Sequence, residues 1–109
     1  KLLIPSVRVY DSRQANQVMI AGEERRIPLP TTDPAVMVNV CAVGAIGPGY
    51  LSVWGIGTKP NTTAVNYGGN GAVSNLAVTA TDNGAIRIYT SQRTHIVIDL
   101  YATWPAQGA

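Results

Sequence analysis

A chain of 109 residues with 46% hydrophobic and only 13% charged side chains holds enough apolar surface to close one core, which excludes intrinsic disorder and makes one domain the expectation. No apolar run approaches the ~20 residues that cross a bilayer as a helix, so membrane insertion is not expected. The net charge of +2, with the single basic doublet Arg25-Arg26 placed directly after Glu23-Glu24, offers no basic stripe, and nucleic acid is not an expected partner.

Strand patterning runs from one end of the chain to the other. Val7 and Val9 alternate with Arg8 and Tyr10, which predicts a strand with two distinct faces. Short pieces at 18–20 and 24–29 are expected edge strands. Residues 35–43, AVMVNVCAV, set Val36, Val38, Val40 and Ala42 on one face against Met37, Asn39, Cys41 and Val43 on the other. The loop GAIGPGY (44–50) leads into the strand YLSVWGI (50–56), and GTKPNTT (57–63) and YGGNGA (67–72) are turns around another edge piece at 64–67. Three strands follow: VSNLAVTA (73–80), AIRIYT (85–90) and THIVIDLY (94–101). Asn83-Gly84 supplies the positive φ angles of a tight turn and TSQRT (90–94) a second connection, so 73–101 is expected to form a three-stranded antiparallel meander. Within the last strand Ile96, Ile98 and Leu100 make an inward row, and His95, Val97, Asp99 and Tyr101 the opposite one.

No stretch keeps a helical apolar period. Many short strands about ten residues apart predict an all-β fold, an antiparallel β-sandwich of immunoglobulin-like or jelly-roll-like type spanning 1–104, with a small closed barrel as the alternative. The final PAQGA (105–109) loses the alternation and is expected to be a tail or linker. The chain opens at Lys1 with no charged leader before an apolar stretch, the expectation for a processed or excised piece of something longer.

Chemistry-bearing residues are sparse. His95 and Cys41 are the only soft ligands and no carboxylates cluster as in a calcium loop, so neither a metal nor a cofactor is expected. Ser12 and Ser91 sit in no strand-turn-helix elbow, and an Asp11–Asp99 carboxylate pair would need a cleft between them, so no enzyme activity is expected. The lone Cys41 has no partner for an internal disulfide and reads as a small inert thiol in a strand. The tripeptide NTT (61–63) matches an N-glycosylation acceptor, a pattern common by chance.

Two constellations remain. Tyr50 and Trp54 share one strand row, and with Asn66 and Tyr67 they are candidate sugar contacts, with core filling as the alternative role for the aromatics. In RVYDSR (8–13), Arg8, Asp11 and Arg13 crowd together in a chain sparing with charge, and Asp99 is equally out of character between Ile98 and Leu100. First and last strands often pair in sandwiches, so Arg8 or Arg13 is expected to meet Asp99 or Asp11 in a structural ion-pair cluster that fixes register more than it adds net stability.

Taken in order, RVYDSR, AVMVNVCAVGAIGPGYLSVW, NTTAVNY, VSNLAVTA and GAIRIYTSQRTHIVIDLYATW resemble the all-β module found at the C-termini of many secreted actinobacterial proteins and of tail or other virion proteins of their phages. The resemblance runs from Arg8 to Trp104. It implies a non-catalytic appendage of a virion (tail or capsid-associated) or secreted surface protein, located on a virion or cell surface and attached to an envelope surface or to a partner protein; the first expectation is that it holds actinobacterial cell-envelope polysaccharide. Tyr50, Trp54, Asn66 and Tyr67 are then the expected contacts. The alternative is a purely structural domain that packs against neighbouring domains of the virion or parent protein, or against copies of itself as a homo-oligomer. This chain departs from the pattern at 14–30, where QANQVMIAGEERRIPLP replaces a glycine-rich segment, and at Cys41, where threonine is usual; no ligand site is carried over there.

Overall fold

The computed structural model describes residues 1–107. Its strands are β1 (Leu2–Asp11), β2 (Glu24–Pro28), β3 (Ala35–Val43), β4 (Gly49–Trp54), β5 (Val65–Tyr67), β6 (Ala72–Ala80), β7 (Ala85–Thr90) and β8 (His95–Trp104). No helix of the described residues is long and apolar enough to cross a membrane. One sheet has the order β1-β8-β3-β6 and the other β2-β7-β4-β5, all pairs antiparallel.

The pairing is nested. β1 meets β8, β2 meets β7, β3 meets β6 and β4 meets β5, so the chain is one long hairpin bent at the 55–64 loop and wrapped into two layers. The β3–β8 and β4–β7 ladders complete the sheets. That is jelly-roll rather than immunoglobulin connectivity, and the two sheets stay open instead of closing into a barrel.

The expected meander over 73–101 does not form, because β7 lies in the opposite sheet from β6 and β8. The turn itself is as its residues dictate, with φ of 51° at Asn83 and 74° at Gly84 and a single bridge between Asp82 and Ala85. Its flanking strands then part to serve two layers. Ile86 and Ile88 cover the core from one side while Ile96, Ile98 and Leu100 cover it from the other; a meander would bring both rows from the same side and leave the facing layer unfilled. Thr81 ties the corner, its N–H donating to Pro34 O at 2.9 Å and its Oγ1 to Asp33 O at 2.8 Å. Of the 18–20 piece only Met19 bridges, to Thr94, and its side chain is wholly buried.

The core draws Val36, Val38, Val40 and Ala42 from β3 and the three-residue row of β8 against Ile27, Leu51, Val65, Ile86 and Ile88. Each such side chain contributes ~1.5–3 kcal/mol by leaving water. Gly49 is required where it stands, since a Cβ there would lie 2.5 Å from the Tyr67 hydroxyl oxygen.

Candidate functional site

Two places on the outside of the sandwich gather side chains that the sequence singles out. The first is the seam between β1 and β8. Arg8 stands opposite Asp99 in the ladder and donates from Nε to Oδ1 at 3.0 Å and from Nη2 to Oδ2 at 3.4 Å. Asp11 accepts the Arg13 backbone N–H at 3.0 Å, Arg13 Nε at 2.9 Å and Nη2 at 2.8 Å, and Arg8 Nη1 approaches it at 3.9 Å. The Arg13 guanidinium, opposed by burial, holds the Asp11 carboxyl down to about 2. All four residues named from sequence for an ion-pair cluster, Arg8, Asp11, Arg13 and Asp99, therefore meet at one seam joining chain start and chain end.

Ser12 continues the seam inward. Fully buried, its Oγ accepts the Ile96 N–H at 2.8 Å and lies 2.9 Å from His95 Nδ1. Its hydroxyl stitches β1 to β8 from a position with no access to a substrate. Cys41 sits one strand away, opposite Val97; burial pushes its thiol up, against the pull of Arg13. Among the described residues no three His, Cys, Asp or Glu side chains gather in a group able to hold a metal ion.

The second place is the outer face of the β2-β7-β4-β5 sheet. Tyr50 and Tyr89 pack with ring centroids 5.8 Å apart and planes inclined by 40°. Lys59 Nζ lies over them, 4.8 Å from the Tyr89 centroid and 5.9 Å from that of Tyr50, a cation–π arrangement. Asn66 faces Tyr50 across the β4–β5 ladder and is exposed. The Tyr89 hydroxyl is pushed up by burial and by the neighbouring Tyr50.

Two of the four expected sugar contacts are elsewhere. Trp54 shares the Tyr50 face but is 5% exposed: its Nε1 donates to Gly57 O at 3.1 Å, and nearby Ser52 Oγ donates to Thr62 O at 2.6 Å, so the 55–64 loop lies over this end of β4. Tyr67 points the other way, into the core, with its hydroxyl 2.8 Å from Thr90 Oγ1 and donating to Gln92 O at 3.2 Å. Both are structural side chains. A third polar knot escaped sequence reading: Arg25 donates to Glu23 Oε2 at 2.8 Å and to Tyr10 Oη at 2.8 Å, joining β2 to β1. Tyr89 was visible as the outward residue alternating with Ile88 and Thr90, whereas Lys59 lies in a turn where no periodicity marks it.

Compared with known proteins, the chain matches no family model, no curated protein and no solved structure.

Proposed function

We propose that this domain is a non-catalytic attachment module of a virion or extracellular surface protein, and that it holds cell-envelope polysaccharide on the outer face of the β2-β7-β4-β5 sheet. The observation that carries this reading is the outward pair Tyr50–Tyr89 with Lys59 over it and Asn66 beside it. Paired tyrosines offer flat apolar area with hydroxyl edges, suited to the C–H faces and hydroxyls of a sugar ring. The motif resemblance to envelope-attached and virion modules supports it, and so does the analogy that jelly rolls recur in lectins and capsids.

Sedimentation with purified actinobacterial wall polysaccharide tests it. The wild-type chain is expected to be retained, and Tyr50→Ala with Tyr89→Ala to lose retention while keeping the wild-type melting temperature to within a few degrees. No retention of the wild type, or full retention of the double variant, overturns the glycan assignment.

A further inference from the structure

The four sheet edges are finished differently. β1 carries Pro5 and a register break between Leu2 and Val7. β2 is five residues long and holds Glu24, Arg25, Arg26 and Pro28; β5 is only three residues. Prolines, charges, bulges and brevity are the devices that stop an edge strand from recruiting another strand. β6 has none of them. It runs nine residues in unbroken register with β3, with neither proline nor charged side chain, and Leu76 and Val78 are 51% and 64% exposed.

The ladder decides which backbone groups of β6 are unpaired. Gly44 N–H donates to Gly71 O next to the Val43–Ala72 pair, and Thr81 N–H to Pro34 O next to the Ala35–Ala80 pair, the pattern of non-hydrogen-bonded pairs. By alternation Ala72, Ser74, Leu76, Val78 and Ala80 turn their N–H and C=O groups away from β3; those of Ser74, Leu76 and Val78 face the open side, whereas Gly55 packs against the Ala80 carbonyl and screens that end. At the middle of this row the Leu76 N–H is met by Asn75 Oδ1 at 3.0 Å, while Asn75 Nδ2 donates to Ala64 O at 3.0 Å. The Asn75 amide thus stands in for one bond of a missing neighbour.

We propose that β6 is a self-association edge, on which two copies of this chain pair antiparallel about a two-fold axis at Leu76 and join their β1-β8-β3-β6 sheets into one. In that register Leu76 meets Leu76 of the second copy and Ser74 meets Val78, so the outward backbone groups of these central residues are satisfied together, short of the Ala80 end that Gly55 screens, and no like charges oppose one another. The occupant is a second copy because the strand is its own complement: small and apolar side chains fall symmetrically on either side of Leu76, as an isologous contact demands. Val78 also borders an apolar end of the outer sheet face, beside Met37, then Ala102, then Leu2, where solvent contact is least favourable. One strand edge buries less than the ~1,200 Å² of a standard interface, and pairing displaces Asn75 from the Leu76 N–H. The free chain is therefore a weak dimer whose pairing strengthens where a parent particle displays many copies. The inference is independent of the glycan assignment.

Leu76→Cys tests the register. Directly opposed residues of a hydrogen-bonded pair have Cα atoms ~5.5 Å apart, inside the ~4.4–6.8 Å span of a disulfide. In a glutathione redox buffer L76C is expected to form a covalent dimer at least about tenfold faster than Ile20→Cys, an exposed residue outside every strand, because pairing raises the effective thiol concentration. The wild type, with only the half-buried Cys41, controls for that thiol. Sedimentation velocity over rising concentration should show reversible dimer in the wild type, more dimer in Asn75→Ala, and none in Val78→Lys. Equal cross-linking of L76C and I20C, or unchanged sedimentation of V78K, overturns the proposal. Polysaccharide retention by V78K separates the two ideas, since its survival without dimer leaves the attachment site standing, and its loss in Y50A/Y89A leaves the dimer standing.

Discussion

Replacing Asp11 by Asn removes one negative charge from the β1–β8 seam while keeping the shape and the acceptor for the Arg13 N–H. In the folded chain the Arg13 guanidinium is the main cause that holds this carboxyl at about 2, against an ordinary value of 3.8. Each tenfold change in proton affinity is worth about 1.4 kcal/mol, which sets a ceiling of ~2.5 kcal/mol on the charge contribution. The Asp11 side chain is 4% exposed, but those of Arg13 and Arg8 are 46% and 55% exposed, so water screens the pair and ~1–1.5 kcal/mol is the expected loss at pH 7. In a chain of this size that lowers the melting temperature by about 4–8 °C. Because the folded value is depressed, the stabilisation is fully present above the ordinary carboxylate range and is lost as pH falls toward 2. Urea unfolding of wild type and D11N should show a constant gap from pH 7 to ~5 that closes between ~4 and ~2. A missing gap at pH 7, or one that persists undiminished at pH 2, would refute the electrostatic account of the seam.

Two further changes probe the interior. Gly49→Ala forces a methyl against the Tyr67 ring and Gln92 Cβ, at 2.7 and 2.9 Å before relaxation, and is expected to cost ~1–3 kcal/mol by overpacking, measured as a lower urea midpoint at unchanged slope. Thr90→Val keeps the volume of a fully buried side chain but removes the hydroxyl that donates to Gln92 O at 2.7 Å and lies 2.8 Å from the Tyr67 hydroxyl. A loss of ~1–3 kcal/mol is expected from the polar groups left short of a partner, and a neutral result would mean that Tyr67 needs only its contact with Gln92 O.

Period-two alternation separated the two faces of β3 and picked out the inward row of β8, and Val36, Val38, Val40 and Ala42 with Ile96, Ile98 and Leu100 are one wall of the core. It did not reveal which sheet each strand joins, because a turn such as Asp82-Asn83-Gly84-Ala85 dictates local dihedrals and not the partner of the strands it connects. That choice is made by layer filling, a property of the whole chain. The ionic seam was legible because Arg8, Asp11 and Arg13 crowd into six residues of a charge-poor chain and Asp99 is the one carboxylate of the last strand, on the row that alternates away from Ile98 and Leu100. The aromatic set was half legible. Alternation already sends Asn66 and Tyr67 to opposite faces, yet nothing in the residues 55–64 announces that they fold back to bury Trp54.

The nested topology gives the charged seam a kinetic meaning. Arg8 and Asp99 are 91 positions apart, the outermost turn of a hairpin whose innermost pair is β4–β5, and closing the longest loop is the last contact to be rewarded entropically. β1 is also an edge strand held on one side only, by β8, so its docking should follow the assembly of the β3, β7 and β8 rows. Interactions made after the rate-limiting step slow unfolding without speeding folding. D11N, which loosens β1 alone, should therefore unfold about tenfold faster for a loss of ~1.4 kcal/mol while its folding rate stays within twofold of wild type. Stopped-flow chevrons read both limbs. A folding limb slowed by the full amount, with the unfolding limb unmoved, would place the joining of the chain's two ends at the start of folding and reverse this order.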